Sequence, residues 1–341
     1  MHSVQGGSLV VVGGGVIGLS VARRAAQDGW SVRVHRNDQP GASWVAGGML
    51  APHSEGWPGE EELLRIGLES LALWRADGPG SYLDGLPAEV VTARESLVVA
   101  VDRADAADLR TVGEWLAAQG HPVEPTSSAR DVEPLLAQGI RHGFRATTEL
   151  AVDNRAVVVA LAAHCERLGV QWAGPLQSLQ DAADADTVVI ANGIDAPLLW
   201  PGLPIRPVKG EVLRLRWRNG CLPAPGRVIR ARVHGRQVYL VPRGDGVVVG
   251  ATQYEHGRDT SPTVTGVRDL LDDACAVVPA LGEYELAECA AGLRPMTPDN
   301  LPLVGRLDER TLVAAGHGRS GFLLAPWTVE KIVAELTAVS V

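Results

Sequence analysis

Aromatic side chains are scarce in this 341-residue sequence, at 4 % of the chain and with only two Phe, so aliphatic side chains must build the core. The 46 % hydrophobic content suffices for one and excludes a disordered chain. Cysteine is scarce too. Cys165, Cys221, Cys275 and Cys289 are scattered and form no C-x-x-C, so neither a zinc site nor a disulfide framework is expected, and reduced thiols in a cytoplasmic protein are. No apolar run reaches the ~18 residues of a membrane span. The opening MHSVQGGSLVVVGGG places no basic segment ahead of an apolar one, and is not read as a signal peptide. Positive charge is in deficit, with 31 Lys and Arg against 40 Asp and Glu and a net charge of −9. That disfavours nucleic acid and polybasic membrane binding. The length suits two domains, or one large α/β domain with an insert.

Residues 8–36 read as strand, helix, strand. SLVVV is a short apolar run suited to a buried parallel strand. Val16 to Asp28 carries apolar residues at helical spacing, and Gly29 can end that helix. Residues 61–76 predict an amphipathic helix, 95–102 a strand, 107–120 a helix, 154–168 a helix capped by Asp153 or Asn154, and 187–191 a buried strand. A Gly-, Pro- and Asp-rich stretch over 77–90 suggests a domain crossing. From 207 to 252 the pattern turns to strands. There Ile229, Ala231 and Val233 share one face, and Arg230, Arg232, His234 and Arg236 the other, read as a solvated or subunit-facing surface. Residues 311–315 predict a strand and 321–339 a final helix.

Gly13-x-Gly15-x-x-Gly18 follows a strand and opens a helix. Gly13 permits the tight turn, Gly15 lets backbone approach a pyrophosphate at the helix N-terminus, and Gly18 allows close helix–strand packing. An acidic residue is expected after the second strand, to accept the adenosine ribose hydroxyls. Arg36 stands there instead and has no acceptor to offer. Stacking on adenine, pairing with a 2′-phosphate as in an NADP enzyme, and weak nucleotide binding all remain open, and Asp38 is near enough for a shifted register.

Four further segments matter: GASWVAGGML (41–50), VVIANG (188–193), AGLRPMTPD (291–299) with LVG (303–305), and AAGHGRSGFLLAP (314–326). Together with YLVPR (239–243) they resemble, in order and over nearly the whole chain, the D-amino acid oxidase superfamily of flavoproteins, and within it the glycine oxidases of thiamine biosynthesis. The fold so implied is α/β (α+β overall), of the D-amino acid oxidase and glutathione-reductase type. A Rossmann-like FAD-binding domain (1–80, 147–206 and 287–341) is joined to a discontinuous β-rich substrate domain (81–146 and 207–286).

Position by position, the resemblance implies Gly13, Gly15 and Gly18, with the backbone of Val16 and Ile17, at the pyrophosphate. Arg36 and Asn37 fall at the adenosine ribose. Ala42, Ser43, Gly47, Gly48 and Met49 would line the ribityl chain and flavin, and Leu176 would offer backbone to the adenine. His317, Gly318, Arg319, Ser320, Gly321, Phe322 and Leu323 would place main-chain amides at the pyrimidine end. The stretch RPMTPDNLP has no Cys, so the FAD is expected to be non-covalent, with Cys289 the one cysteine close enough to reopen the question.

The implied reaction is oxidative deamination of glycine, with sarcosine or small D-amino acids as weaker substrates. Hydride passes to flavin N5, O2 accepts the electrons as H2O2, and no strong side-chain base is required. The requirement is a carboxylate clamp: Arg294 in GLRP suits a bidentate pair, Tyr239 can donate its hydroxyl, and Arg319 can close the site or contact the substrate directly. Met49 falls near the pocket, and Gln253 stands where relatives can carry a hydrophobic residue. The alternatives are a structural salt bridge for Arg294, strand packing for Tyr239 and a purely structural His317. A homo-oligomer (a homotetramer in the family) and hand-off of the imine to a thiazole synthase are implied by the resemblance alone. An NADP-dependent reductase and a flavin-poor scaffold are the competing functions, both motivated by Arg36.

Overall fold

The computed structural model describes residues 6–338. The first five residues of the opening segment, and Val339 at the end of the predicted last helix, lie outside them. Three sheets organise the chain. The first has six strands, in the order Leu303–Arg306, Thr311–Ala315, Thr187–Ile190, Ser8–Val12, Ser31–His35 and Gln171–Ala173. All its neighbours run parallel except the antiparallel edge pair 303–306 and 311–315. Its central strands are apolar on both faces because both are covered: Leu9 and Val11 lie under long helices, and Val10, Val12 and Val188 under the short segments around Leu179 and Leu199. The helix Val16–Gln27 packs beside the last helix, Gly321–Ala338, and the helix Asn154–Arg167. Asp153 caps this last one, accepting from the amides of Arg155 and Ala156.

The second sheet has eight strands: Glu285–Met296, Arg206–Arg216, Gly246–Gly250, Arg236–Arg243, Val228–Val233, Ser96–Ala100, Gly143–Ala146 and Val123–Thr126. It is antiparallel except where Val228–Val233 pairs with Ser96–Ala100. A small third sheet joins Met49–Leu50, Leu150–Val152 and Val91–Ala93, and so ties the loop after residue 41 to the crossing chain. Most elements fall within a residue or two of their predicted bounds. The exception is the fourth helix, Arg103–Ala118, which starts earlier because Asp102 accepts from the Asp105 amide and caps it.

Strand Glu285–Met296 pairs with Arg206–Arg216 along its whole length. Domain edges at 206/207 and 286/287 would cut this ladder. The hydrogen bonds place the change of sheet just before Arg206 and just after Met296. Composition does not reveal this, because the strand is continuous through the point where it leaves one layer for the other.

Candidate active site

A cavity of about 1760 Å³ lies between the glycine turn of the first sheet and one face of the second. Small-ligand pockets run to roughly 1,000 Å³, so this one has room for a dinucleotide and a substrate together. Three glycines show why its near end is built as it is. Gly13 has φ +128, and a Cβ there would lie 2.3 Å from the Ala191 carbonyl oxygen. A Cβ on Gly18 would lie 2.0 Å from the Gly13 oxygen, so Gly18 serves helix–strand packing and does not face the cavity. A Cβ on Gly15 would crowd Ser43 Oγ, which accepts the Val16 amide at 3.1 Å. The first helix carries no side-chain cap on Gly15, and its N-terminal turn opens on the cavity. That arrangement suits a diphosphate. The Val16 amide is the exception to expectation, because Ser43 already engages it.

Arg36 follows the second strand directly, where the acidic residue was expected, and lines the cavity with Asn37 and Asp38. Its guanidinium lies 4.2 Å from the Trp172 ring centroid. Trp172, from the neighbouring strand, is thus the aromatic platform that Arg36 uses. Leu176 lines the same end. Asn192, in the turn after the strand Thr187–Ile190, presents a buried Oδ1 without a partner among the described residues. Sequence reasoning passed over it within VVIANG.

Ala42, Ser43, Gly47, Gly48 and Met49 line the middle of the cavity. Arg243, from the YLVPR motif, fastens this loop by donating to the Gly47 carbonyl at 2.9 Å and to Asn154 Oδ1 at 3.2 Å. Burial pulls its guanidinium down to about 10, against the attraction of Asp153. No cysteine lines the cavity. Cys165 is buried among the helices, and Cys289 is exposed on the strand upstream of Arg294.

At the far end Arg294, Tyr239, Met296, His317, Gly318, Arg319, Gly321 and Phe322 come together. Ser320 and Leu323 do not reach the cavity wall. Ser320 accepts the Leu324 amide through its carbonyl, and Leu323 is buried in the helical layer. The last helix begins at Gly321, so its positive end faces the same space.

Arg294 leans across Gly210, where any Cβ would lie 2.4 Å from its guanidinium. It donates to the carbonyls of Thr252 at 3.1 Å and Lys209 at 3.5 Å. No carboxylate among the described residues pairs with it, which removes the structural salt bridge as its role. Tyr239 is packed between Gly47 and Gly250. Burial raises its hydroxyl, and the Arg294 charge works against that rise.

Arg319 is held by Glu60 and reaches the Glu55 carbonyl at 3.4 Å. Burial acts to lower its guanidinium, and Glu55 with Glu60 outweighs that and raises it. It anchors the 55–60 loop to the last helix and is not free for substrate in this arrangement.

His317 is buried, and its Nε2 lies 2.8 Å from Thr328 Oγ1, a structural contact. Burial pushes it from its ordinary 6.5 down to about 3. Its stabilising contribution is therefore whole above pH 6.5 and drains away as pH falls towards 3. Between pH 6.5 and 5 that is about 2 kcal/mol at 1.36 kcal/mol per pH unit. Denaturant unfolding of His317→Gln at pH 7 and pH 5 should show a smaller loss than the wild type by that amount. Equal losses would exclude His317 as the source.

The polar face of residues 230–236 is only in part the solvated or subunit-facing surface expected of it: His234 and Arg236 are exposed, whereas Arg230 and Arg232 are covered. Arg230 and Arg232 line the cavity. Arg230 pairs with Glu55, the two side chains being 13 % and 14 % exposed. Arg232 pairs with Asp108 and lies over Trp57. Arg236 is also at the cavity, paired with Asp273, but its side chain is 51 % exposed, and His234 at the turn is exposed as well. The 51–60 loop and the helix from Arg103 cover this face, and strand periodicity carries no sign of them. Glu55 and Glu60 were missed for the same reason, although they lie within ten residues of the end of GASWVAGGML.

The profile described as "DAO: FAD dependent oxidoreductase" matches residues 8–336. A Rhizobium etli protein named as a thiamine biosynthesis oxidoreductase, ThiO, is 35 % identical over 93 % of this chain and 93 % of its own. The bifunctional protein ThiO/ThiG of Synechocystis is 33 % identical over 95 % of this chain, which spans 50 % of that protein's length. The crystal structure of glycine oxidase from Geobacillus kaustophilus superimposes with a TM-score of 0.86 at 26 % identity, covering 97 % of this chain and 95 % of the other.

Proposed function

The chain belongs to the FAD dependent oxidoreductase family, and from that premise we propose that it oxidises glycine with O2 and water to glyoxylate, ammonia and hydrogen peroxide. Sarcosine and small D-amino acids are the secondary substrates of the same reading. When bound, FAD supplies the two-electron acceptor that O2 regenerates. The residues present fit that group: the glycine turn leaves room for a diphosphate where a Cβ would strike backbone, and the loop 42–49 lines the space beyond it.

The observation that carries the proposal is Arg294, a half-buried guanidinium facing a cavity with two carbonyl contacts and, among the described residues, no carboxylate partner. A substrate carboxylate completes its fork and fixes the orientation of the α-carbon. Tyr239 beside it donates its hydroxyl to the same carboxylate, and burial keeps that proton in place. Gly47 and Gly250 leave the room its ring occupies, since a Cβ on either would collide with it.

The similarity to ThiO proteins supports a place in thiamine biosynthesis, where the imine would pass to a thiazole-forming enzyme. In Synechocystis, ThiO and ThiG share one chain. A homo-oligomer and a cytoplasmic setting belong to the same proposal. No helix among the described residues is long and apolar enough to cross a membrane.

The test is peroxide release from the FAD-loaded protein across glycine, sarcosine, D-alanine and D-proline. Glycine should give the highest kcat/KM. Absence of peroxide with every amine overturns the proposal.

A further inference from the structure

Sequence periodicity gave Arg230 no function, and Glu55 went unremarked. Arg230 and Tyr239 face each other in register on neighbouring strands, and Tyr239 is in turn opposite Gly250. Tyr239 leans over Gly250, towards the strand above which Arg294 lies. Glu55 comes in from the covering loop. One of its carboxylate oxygens, Oε1, meets Arg230 Nη1, which also lies 3.9 Å from Met49 Sδ. The backbone carbonyl of Glu55 is reached by Arg319.

The other carboxylates that line this cavity are differently placed. Glu60 is engaged by Arg319 and Asn300, Asp195 by Arg258, Asp273 by Arg236 and Asp269 by Arg268, and Asp38 lies at the nucleotide end. Among the described residues, Glu55 alone of these carboxylates stands in the circle of Tyr239, Met49 and Arg230. A glycine molecule is a zwitterion. With its carboxylate on Arg294 and Tyr239, its amino end needs an acceptor of opposite charge, or it is stranded without its water.

We propose that Glu55, oriented by Arg230, receives the amino end of the substrate, and that this charged pair selects small zwitterionic amines over simple carboxylic acids. The proposal rests on the amino acid oxidase reading of the same site. Arg230 occupies Oε1 and leaves Oε2 for the amine. It also offsets part of the carboxylate's charge, so that the amine is held without its proton being held too firmly; the reaction needs the amine neutral. The same negative charge opposes a second acidic group on the substrate.

The experiment compares wild type with Glu55→Gln, an isosteric change that keeps an oxygen for Arg230. It measures the glycine KM and the inhibition constant of acetate, which has the carboxylate and lacks the amine. The expected result is a glycine KM raised at least tenfold, with acetate inhibition unchanged within twofold or tighter. Far-UV circular dichroism and flavin content should match the wild type. An unchanged glycine KM overturns the proposal, and so does a parallel weakening of glycine and acetate, which marks general damage to the pocket. In both cases a wild type that still makes peroxide leaves the oxidase reading standing. A wild type inert towards every amine removes that reading and this one with it.

Discussion

Arg294→Lys is expected to lower kcat/KM for glycine about a hundredfold, nearly all of it in KM, since the lost charge-assisted bonding is worth roughly 2–3 kcal/mol. The guanidinium crosses Gly210 and reaches the Thr252 carbonyl, which leaves its remaining donors turned to the cavity. A lysine ammonium is a point charge on a flexible stem and cannot hold both oxygens of a carboxylate. It keeps the positive charge, so the variant separates fork geometry from electrostatics. Steady-state kinetics on FAD-loaded protein decide the matter, with flavin content as the control. A KM within threefold of wild type would take Arg294 out of the clamp and leave Tyr239 as the surviving candidate for the substrate's acid end.

Arg294 and Arg230 show what a sequence can and cannot carry. Arg294 sits in a short motif, GLRP, on a strand that runs straight into the site, so its candidacy was local, while its freedom from any carboxylate among the described residues shows only in the fold. Arg230 looks like any cation on the outer side of a two-period strand. Its role depends on Glu55, 175 residues away in the chain, and on a loop folded over the sheet. Arg319 errs the other way. The motif GHGRSG invites a substrate contact, while Glu60, 259 residues distant, already holds the side chain. The central parallel strands and the helix between the first two were legible because their signals lie within about a dozen residues: apolar runs, a cap, a glycine at fixed spacing. The eight-stranded sheet was legible only as a β-rich region. Its one parallel contact, Ser96–Ala100 against Val228–Val233, joins segments that no local pattern relates.

Arg36 is a departure the structure explains in part. The family shown by the comparison is FAD-dependent, so the arginine does not announce a 2′-phosphate enzyme. Its stacking on Trp172 gives it a neighbour that requires no acid, and places a flat cation at the edge of the adenosine end of the cavity. On the proposed FAD reading, the ribose hydroxyls would look to Asn37, to Asp38 or to backbone for acceptors.

Gly13→Ala is expected to abolish FAD retention and destabilise the fold by ~3 kcal/mol or more, since a non-glycine residue forced into forbidden backbone space is costly and a backbone clash adds to it. At φ +128 an L-residue finds no comfortable conformation, and the added Cβ would lie 2.3 Å from the Ala191 oxygen, 2.6 Å from its carbonyl carbon and 2.9 Å from the Asn192 amide nitrogen. None of these is the end of a flexible side chain. Relief requires the turn to move away from the end of the strand Thr187–Ile190, and the turn is also pinned by the Gly13 amide to the His35 carbonyl at 2.8 Å. Any such shift carries the first helix N-terminus out of line with the cavity. Gly41→Ala is the matched control. It lies in the same cavity wall, in extended backbone with φ −88, and its Cβ would meet nothing within 4 Å. Flavin absorbance per protein and the thermal midpoint should stay at wild-type values in Gly41→Ala and collapse in Gly13→Ala. If Gly13→Ala keeps its full flavin content and midpoint, the turn does not cradle a diphosphate, and the nucleotide must lie elsewhere in the cavity.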